Sequence, residues 1–288
     1  MKKFDVLRFS CLGLGLAIAT SCGRGTEVGE DDIANATGEA MASTDEALVG
    51  AVTTHRTESW QDTFAETSGP WAAATCGFSG LDFTACAAGS RARTFGGCTL
   101  LNATWEGTVT LTFSQAACTF ATSGDTITRV PNFTISGRRG RTLSVTVASG
   151  GYGQRITRGA SAGSFTLATS KVKRVAIDAV GTTTLNIETS TGTAMTLTGA
   201  TRTGRKLDGG TLVITDALNS KTYTLTPAAV TWDGTCNCAS SGSWTGTIAT
   251  TGSDSTTTIT VAITACGSAD VTLGTETTSV TLDRCASL

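Results

Sequence analysis

Charge, aromatic side chains, proline and histidine are all scarce in this sequence. Of 288 residues, 15% are charged and 6% are aromatic, with three prolines and one histidine. The formal net charge is −2 and 40% of residues are hydrophobic, which excludes disorder driven by charge. Because so few prolines leave no proline-rich linker to divide the chain after residue 94, we expect one continuous body there, with two sandwich-like units as the alternative.

Threonine and glycine, in contrast, are abundant, with 58 threonines and 34 glycines. Both are poor helix formers, whereas β-branched threonine fits a pleated, half-solvated strand. From about residue 94, threonine or serine alternates with apolar residues, which puts one strand face in water and the other in a core. We predict an all-β fold with an antiparallel meander or sandwich-like body that carries disulfides. The predicted strands are 108–113, 132–136, 142–148, 164–170, 171–180, 182–189, 193–201, 211–215, 221–226, 243–250, 256–264, 269–274 and 278–283. Residues 216–221, between two of these strands, are predicted to form a hairpin turn.

Residues 1–21 have the features of an export signal. Lys2, Lys3 and Arg8 precede an apolar stretch, 9–19, that is too short to span a bilayer. Small residues then lead into Cys22, which resembles the lipobox of bacterial lipoproteins, although Ala19 stands where that family usually has Leu. The resemblance implies lipidation at Cys22 and a mature chain that starts there. The alternatives are an ordinary secretory signal cleaved after residue 21 and an uncleaved anchor.

Gly23 after the cysteine, rather than Asp, implies sorting to the outer membrane or cell surface, with the periplasmic side as the alternative. Residues 22–70 follow as a predicted acidic, flexible tether with ten acidic and two basic residues, or a charge near −8. Residues 71–288 form the predicted β-rich extracytoplasmic body, which carries 16 basic and 12 acidic residues.

Eight cysteines remain after the signal and the lipidation site, and an even count in an exported chain indicates disulfides. They form two clusters, so pairing within each cluster is expected. Both clusters contain a cysteine, turn residues and the pattern W-x-G-T at Trp105 and Trp244. This weak repeat favours Cys98–Cys118 and Cys238–Cys266, and leaves Cys76–Cys86 and Cys236–Cys285. The candidates are Cys76, Cys86, Cys98, Cys118, Cys236, Cys238, Cys266 and Cys285.

Positive charge is concentrated in residues 129–206, which hold twelve basic and two acidic residues. If these side chains converge on the surface, they would suit anionic envelope polymers such as lipopolysaccharide or acidic glycans. The alternative is a set of solvated strand faces. Few aromatic residues accompany them, so nucleic acid is not an expected partner. The candidate anion-binding residues are Arg138, Arg139, Arg141, Lys171, Lys173 and Arg174.

Motifs for catalysis and cofactors fail their context tests. Residues 159–163 fit G-x-S-x-G, but the flanks are strand-like and the one histidine, His55, precedes the serine. Cys236 and Cys238 have no second cysteine pair or nearby histidine to complete a zinc site. We therefore expect no catalytic residue, no metal and no other cofactor. Carboxylates that meet in space would be needed for a glycosidase, and the candidates are Asp178, Glu188, Asp208 and Asp233.

The body also resembles the Thr/Gly-rich, disulfide-bearing β lipoproteins that Gram-negative bacteria export. The resemblance rests on the lipobox-like segment, the C…W-x-G-T-[VI]…C pattern and the sequence around 266–283. It implies no activity. The sequence thus favours a lipid-anchored envelope protein with a structural or surface-binding role, bound to the membrane through its lipid. The alternatives are an extracytoplasmic hydrolase of glycans or peptidoglycan, and a polyanion-binding module.

Overall fold

The computed structural model describes residue 38 and residues 84–100, 103–137, 140–199, 202–234, 236 and 238–282. Sixteen β-strands and one short 3-10 turn, Arg202–Gly204, lie in these ranges. The prediction of an all-β fold with antiparallel pairing is confirmed. The strands are β1 (Ser90–Leu100), β2 (Ala103–Phe113), β3 (Thr126–Gly137), β4 (Thr142–Val147), β5 (Gly153–Arg158), β6 (Ser164–Ser170), β7 (Val172–Ile177), β8 (Thr183–Thr193), β9 (Met195–Thr198), β10 (Lys206–Asp208), β11 (Thr211–Asp216), β12 (Lys221–Thr231), β13 (Ser241–Thr250), β14 (Thr256–Ala265), β15 (Ser268–Leu273) and β16 (Glu276–Thr281).

The strands form one antiparallel meander. On one side of β3 lie β2 and then β1, and beyond β12 follow β13, β14, β15 and β16 in chain order. Between β3 and β12, each ribbon of the meander consists of a pair of consecutive strands that lie end to end and are not hydrogen-bonded to each other. These pairs are β4 and β5, β6 and β7, β8 and β9, and β10 and β11. The two members of each pair run in the same direction, and both form hydrogen bonds with the next ribbon.

Short interruptions separate the two members of each pair, and those between β6 and β7 and between β10 and β11 reset the side-chain alternation. Lys171, with φ of 52°, stands alone between β6 and β7, and two glycines with positive φ, Gly209 and Gly210, separate β10 from β11. Phe165 and Leu167 are buried before the first interruption, and Val172 and Arg174 after it. A single extra residue therefore keeps one face of the sheet buried although the numbering parity changes.

The buried residues lie on one side of the sheet, which we call the inward face. Its main cluster extends from Leu111 on β2 to Val271 on β15, and it includes Tyr223 and Trp244. A second cluster near the N-terminal strands combines Phe95, Val109, Phe133, Val145 and Val172. Because most apolar side chains of the meander share this face, its burial is the main source of stability.

Threonines line the opposite side, which we call the outer face. Five of them lie in one lateral row across β12 to β16, and each is exposed or half-buried. The Oγ1 atoms of Thr272 and Thr277 are 2.8 Å apart and share a hydrogen bond. Cross-strand threonine pairs of this kind stabilise a sheet while keeping its surface polar. The row consists of Thr226, Thr245, Thr260, Thr272 and Thr277.

Most predicted strands coincide with observed ones, and the predicted hairpin between β11 and β12 is present. Asp216 caps its turn by accepting hydrogen bonds from the Leu218 and Asn219 amides, 3.0 and 3.3 Å away. Three strands were not predicted: β1, β5 and β10. The predictions for the signal peptide and Cys22 lie outside the described residues, as does the tether apart from residue 38. Among those described, no helix is long and apolar enough to cross a membrane.

Candidate functional site

Two disulfides close hairpins at the same edge of the sheet. Cys86–Cys118 joins the chain before β1 to the chain after β2, and Cys236–Cys266 does the same for β13 and β14. The Cα–Cα distances are 5.9 and 5.6 Å. In each case antiparallel pairing brings the two outer ends of the hairpin together, so a bridge there locks both strands. We call this the disulfide edge.

Pairing within each cysteine cluster is confirmed for both bridges, but the predicted partners are wrong. Cys118 bonds Cys86 instead of Cys98, and Cys266 bonds Cys236 instead of Cys238. The physical reason lies in the register. Cys98 is placed opposite Trp105, about eight residues or roughly 26 Å along the hairpin from its disulfide-closed end.

Cys238 is disulfide-bonded too, so neither cysteine of the C-x-C pair is a free thiolate. This outcome removes the zinc alternative at Cys236 and Cys238, because a zinc ligand must be a deprotonated, unbridged sulfur. Among the described residues, no group of three or more His, Cys, Asp or Glu side chains is arranged to hold a metal ion.

Asp125 organises the loop that carries Cys118. Its carboxylate accepts hydrogen bonds from the Thr122 amide at 2.7 Å, the Gln115 side chain at 2.7 Å and the Ala121 amide at 2.9 Å. These hydrogen bonds, the Thr122 amide foremost, hold the pKa of Asp125 below its ordinary value of 3.8, with a smaller contribution from the charge of Arg158. The ionised carboxylate thus supports the loop that the disulfide ties down.

The W-x-G-T repeat has a structural basis in the glycine. Gly107 lies between Phe95 and Phe133 of the neighbouring strands, and Gly246 lies between Leu225 and Ile259. In both cases the missing side chain leaves room for two large apolar neighbours on the inward face. A Cβ at Gly246 would overlap the backbone of β12.

The two tryptophans of the repeat do not occupy equivalent strands, so the repeat does not mark two hairpins with the same arrangement. Trp105 is in the second strand of its hairpin and is half-buried, whereas Trp244 is in the first strand of its hairpin and is 1% exposed. Trp105 stacks on Phe133 with ring centroids 5.5 Å apart, within the second cluster. Both tryptophans therefore serve packing.

The candidate anion-binding residues do not form one surface patch. Arg174 is completely buried on the inward face, so it does not belong to a surface site. Lys173 is half-buried on the outer face opposite Glu188, and exposed Lys171 donates a hydrogen bond to the Ser149 carbonyl. Arg141 is exposed at the hairpin tip, five residues or about 16 Å beyond the strand position opposite Lys173. Arg138 and Arg139 lie outside the described residues.

Arg174 belongs instead to a set of buried cations that the sequence analysis missed. Arg129, Arg205 and Lys221 are 9%, 4% and 6% exposed, and Arg174 and Lys221 lie in one lateral row of the sheet. A signal was present in the sequence, because consecutive residues of a strand point to opposite faces. Lys173 and Arg174 in a strand with one buried face must therefore place one cation inside.

Three of the four carboxylates considered for hydrolysis support local backbone instead, and the fourth, Glu188, lies opposite Lys173 in the ladder between β7 and β8. Asp178 accepts hydrogen bonds from the Val180 and Thr182 amides, and Asp233 from the Cys236 amide. Asp208 accepts one from the Ala229 amide, and its pKa is lowered by that bond and by Lys206, against an opposing effect of burial. About 13 residues along β8 and β9, or roughly 43 Å, separate the turn at Asp178 from Thr196, the β9 residue opposite Asp208.

The G-x-S-x-G segment forms the turn between β5 and β6. Ser161 is exposed there, and strands rather than a strand and a helix flank the turn. This context differs from that of a nucleophile elbow, as the sequence analysis anticipated. His55, the one histidine of the chain, lies outside the described residues.

No protein-family description, no curated protein and no solved structure matches this chain.

Proposed function

We propose that this chain is an exported, lipid-anchored β protein of the cell envelope with a non-enzymatic structural or surface-binding role. Its signal-like residues 1–21 and the lipobox-like Cys22 supply the export and the anchor. The lipid attaches the chain to the outer membrane or cell surface, and no cofactor takes part in this role.

The observation that carries the proposal is the pair of disulfides at one edge of the sheet. Disulfides form and persist in oxidising compartments outside the cytoplasm, which agrees with the signal-like N-terminus. The polar outer face supports a role at an aqueous surface, since its threonine row is exposed or half-buried along five strands.

Lipid attachment is tested by replacing Cys22 with serine and following labelled palmitate together with membrane partitioning. The proposal predicts label and membrane association in the natural chain and neither in the C22S chain. The matched control is Cys11→Ser, which changes a cysteine inside the predicted signal and should leave both readouts intact. Unchanged labelling and partitioning of the C22S chain would contradict the anchor.

Binding of anionic polymers is a second candidate, supported by a local arrangement at the start of β5 and at the interruption between β6 and β7. The guanidinium of Arg155 lies 4.2 Å from the ring centroid of Tyr152, and exposed Lys171 lies beside the same loop. An aromatic ring and two cations at one place suit an acidic sugar or a phosphorylated lipid headgroup.

This candidate is tested by binding to lipopolysaccharide vesicles with Lys171→Gln and Arg155→Gln chains. Weaker binding of both variants, together with loss of binding at high salt, would support it. Lys206→Gln, which removes a cation paired with Asp208, serves as the control. Binding that is independent of salt and of both substitutions would contradict a polyanion role.

A further inference from the structure

At the interruption between β6 and β7, side-chain hydroxyls replace the backbone hydrogen bonds of the sheet. The pairing of this ribbon with the next one stops before Thr169 and resumes at Val172. The Thr191 Oγ1 atom accepts a hydrogen bond from the Thr169 amide and donates one to the Thr169 carbonyl, both at 3.1 Å. The Ser190 Oγ atom accepts a hydrogen bond from the Lys171 amide at 2.9 Å. Hydroxyl groups of β8 therefore hold the interrupted ribbon where the extra residue displaces its backbone from regular pairing.

Two further hydroxyls beside this interruption are buried on the inward face. Thr169 is 2% exposed and Thr189 is 0% exposed. Within the part of the chain that the structure describes, neither Oγ1 atom has a hydrogen-bond partner, and both are shielded from solvent. Burial costs a hydroxyl its hydrogen bonds to bulk water, so buried hydroxyls in native proteins are normally bound by another polar group. These two atoms therefore mark a place where a polar ligand is expected.

The two hydroxyl-bearing residues are diagonal neighbours on the inward face. The hydrogen bonds of the Thr191 hydroxyl place Thr169 next to Thr191, and Thr189 is two residues from Thr191 on the same strand. Diagonal neighbours in a sheet have Cα atoms about 7–8 Å apart, which lets their side chains approach a common point. Gln154, the lateral neighbour of Thr169 on β5, is also buried and adds a third polar side chain to this region.

We propose that one water molecule binds between the hydroxyls of Thr169 and Thr189 and bridges β6 to β8. Because both oxygen atoms are shielded, a ligand there must be about as small as water, and buried polar sites with two or more hydrogen-bonding groups retain water. Two hydrogen bonds of about 2.8 Å span up to about 5.6 Å between the hydroxyl oxygens, which suits diagonal neighbours. Each hydroxyl both donates and accepts, so it matches either role of the water.

This water completes the connection that replaces regular pairing at the interruption. On its own side of the ribbon, Lys171 is exposed, and its ammonium group donates a hydrogen bond to the Ser149 carbonyl at 3.0 Å. The backbone that carries this lysine is held by hydroxyls of β8 and, through the water, by a contact on the inward face. The water is thus a structural ligand at the one position where the β6–β7 ribbon has an extra residue.

Magnetic relaxation dispersion of water oxygen-17 tests the site directly, because it detects water molecules that stay inside a protein for longer than its rotation. The natural chain is compared with Thr169→Val and Thr189→Val, which keep the shape of the side chain and remove one hydroxyl each. We expect each variant to lose the dispersion amplitude of one long-lived water. Amplitudes equal to that of the natural chain in both variants would overturn the proposal.

Two matched controls separate this site from general effects of substitution. Thr245→Val removes an exposed hydroxyl from the outer face, and Thr189→Ser retains a hydroxyl at the buried position. Both controls should keep the full dispersion amplitude. A loss in T245V equal to the loss in T189V would contradict a water bound at this particular site.

Denaturation in guanidinium chloride gives an independent test with the same chains. Loss of one partner of the water should raise the unfolding equilibrium constant at least about fivefold in T169V and T189V, against less than about threefold in T245V. The double variant should show less than the product of the two single effects, because the first substitution already releases the water. Valine variants as stable as the natural chain, or more stable, would indicate dry hydroxyls and would overturn the proposal.

Circular dichroism at zero denaturant checks that each variant folds. If one valine variant fails to fold, the other decides, since the two positions lie on different strands. These measurements do not involve the lipid anchor, so a failure of the proposed function leaves them unaffected.

Discussion

Removal of a hairpin disulfide should cost a large part of the stability of the body. The bridges Cys86–Cys118 and Cys236–Cys266 close loops with sequence separations of 32 and 30. For loops of this length, the chain-entropy expression gives about 12 cal/mol/K, or about 3.7 kcal/mol at 25 °C for each bridge. Replacing both cysteines of one pair by serine should therefore lower the free energy of unfolding by about that amount.

The second hairpin supplies an internal comparison. Cys238 is disulfide-bonded next to Cys236, so its bridge still restrains the unfolded chain when the 236–266 bridge is removed. The loss at that pair should be at or below about 3.7 kcal/mol. Because the two hairpins have no strand in common, the two losses should add to at most about 7 kcal/mol, comparable to the whole stability of many domains.

Equilibrium denaturation in guanidinium chloride, with the two double-serine chains and their combination, measures these free energies. Circular dichroism at zero denaturant checks that each chain still folds. A loss below about 1 kcal/mol for the 86–118 pair would refute the reasoning, because the closed loop would then contribute little to the entropy of the unfolded chain. Single-cysteine variants are unsuitable, since a free thiol can exchange with the remaining bridges.

Three further predictions address the loop, the glycine motif and the remaining cysteines. As pH falls below 3.8, the natural chain should lose stability when Asp125 takes up a proton, because its folded pKa is lowered; Asp125→Asn should lack this part of the pH dependence in thermal melts. Gly246→Ala should destabilise by more than about 2 kcal/mol, whereas Gly96→Ala, with no atom within 4 Å of the added Cβ, should change stability by less than about 1 kcal/mol; equal effects in denaturation would contradict the packing argument. Pairing within clusters predicts Cys238–Cys285, and a non-reduced peptide map showing Cys238 bonded to the N-terminal cluster would contradict it.

The fold class follows from the sequence because alternation and composition act locally. Threonine and serine at every second position predicted which side chains face water, and the row from Thr226 to Thr277 lies on the polar face as expected. The Asp216 turn was predicted because its residues favour a tight turn between two clear strands. Both results depend on residues near each other in the chain.

Features that depend on distant parts of the chain were not accessible in the same way. The three residues of β10 are too few to show alternation, and residue 171, predicted as the first residue of a strand, is an interruption with positive φ. The cysteine partners depend on which strand ends meet, and the sequence repeat does not encode the register that places Cys98 in mid-hairpin. Alternation likewise does not decide which of Lys173 and Arg174 is buried, because the neighbouring ribbons decide it.

The central claim is that an exported chain carries its anchor at Cys22 and is held together by disulfides. Mass spectrometry of the N-terminal peptide of the mature protein, purified without reductant from a Gram-negative host, tests this most directly. We expect a peptide that begins at Cys22 and carries acyl chains on that cysteine. An unmodified peptide that begins at Cys22, or one that still contains residues 1–21, would contradict the anchor on which the proposed function rests.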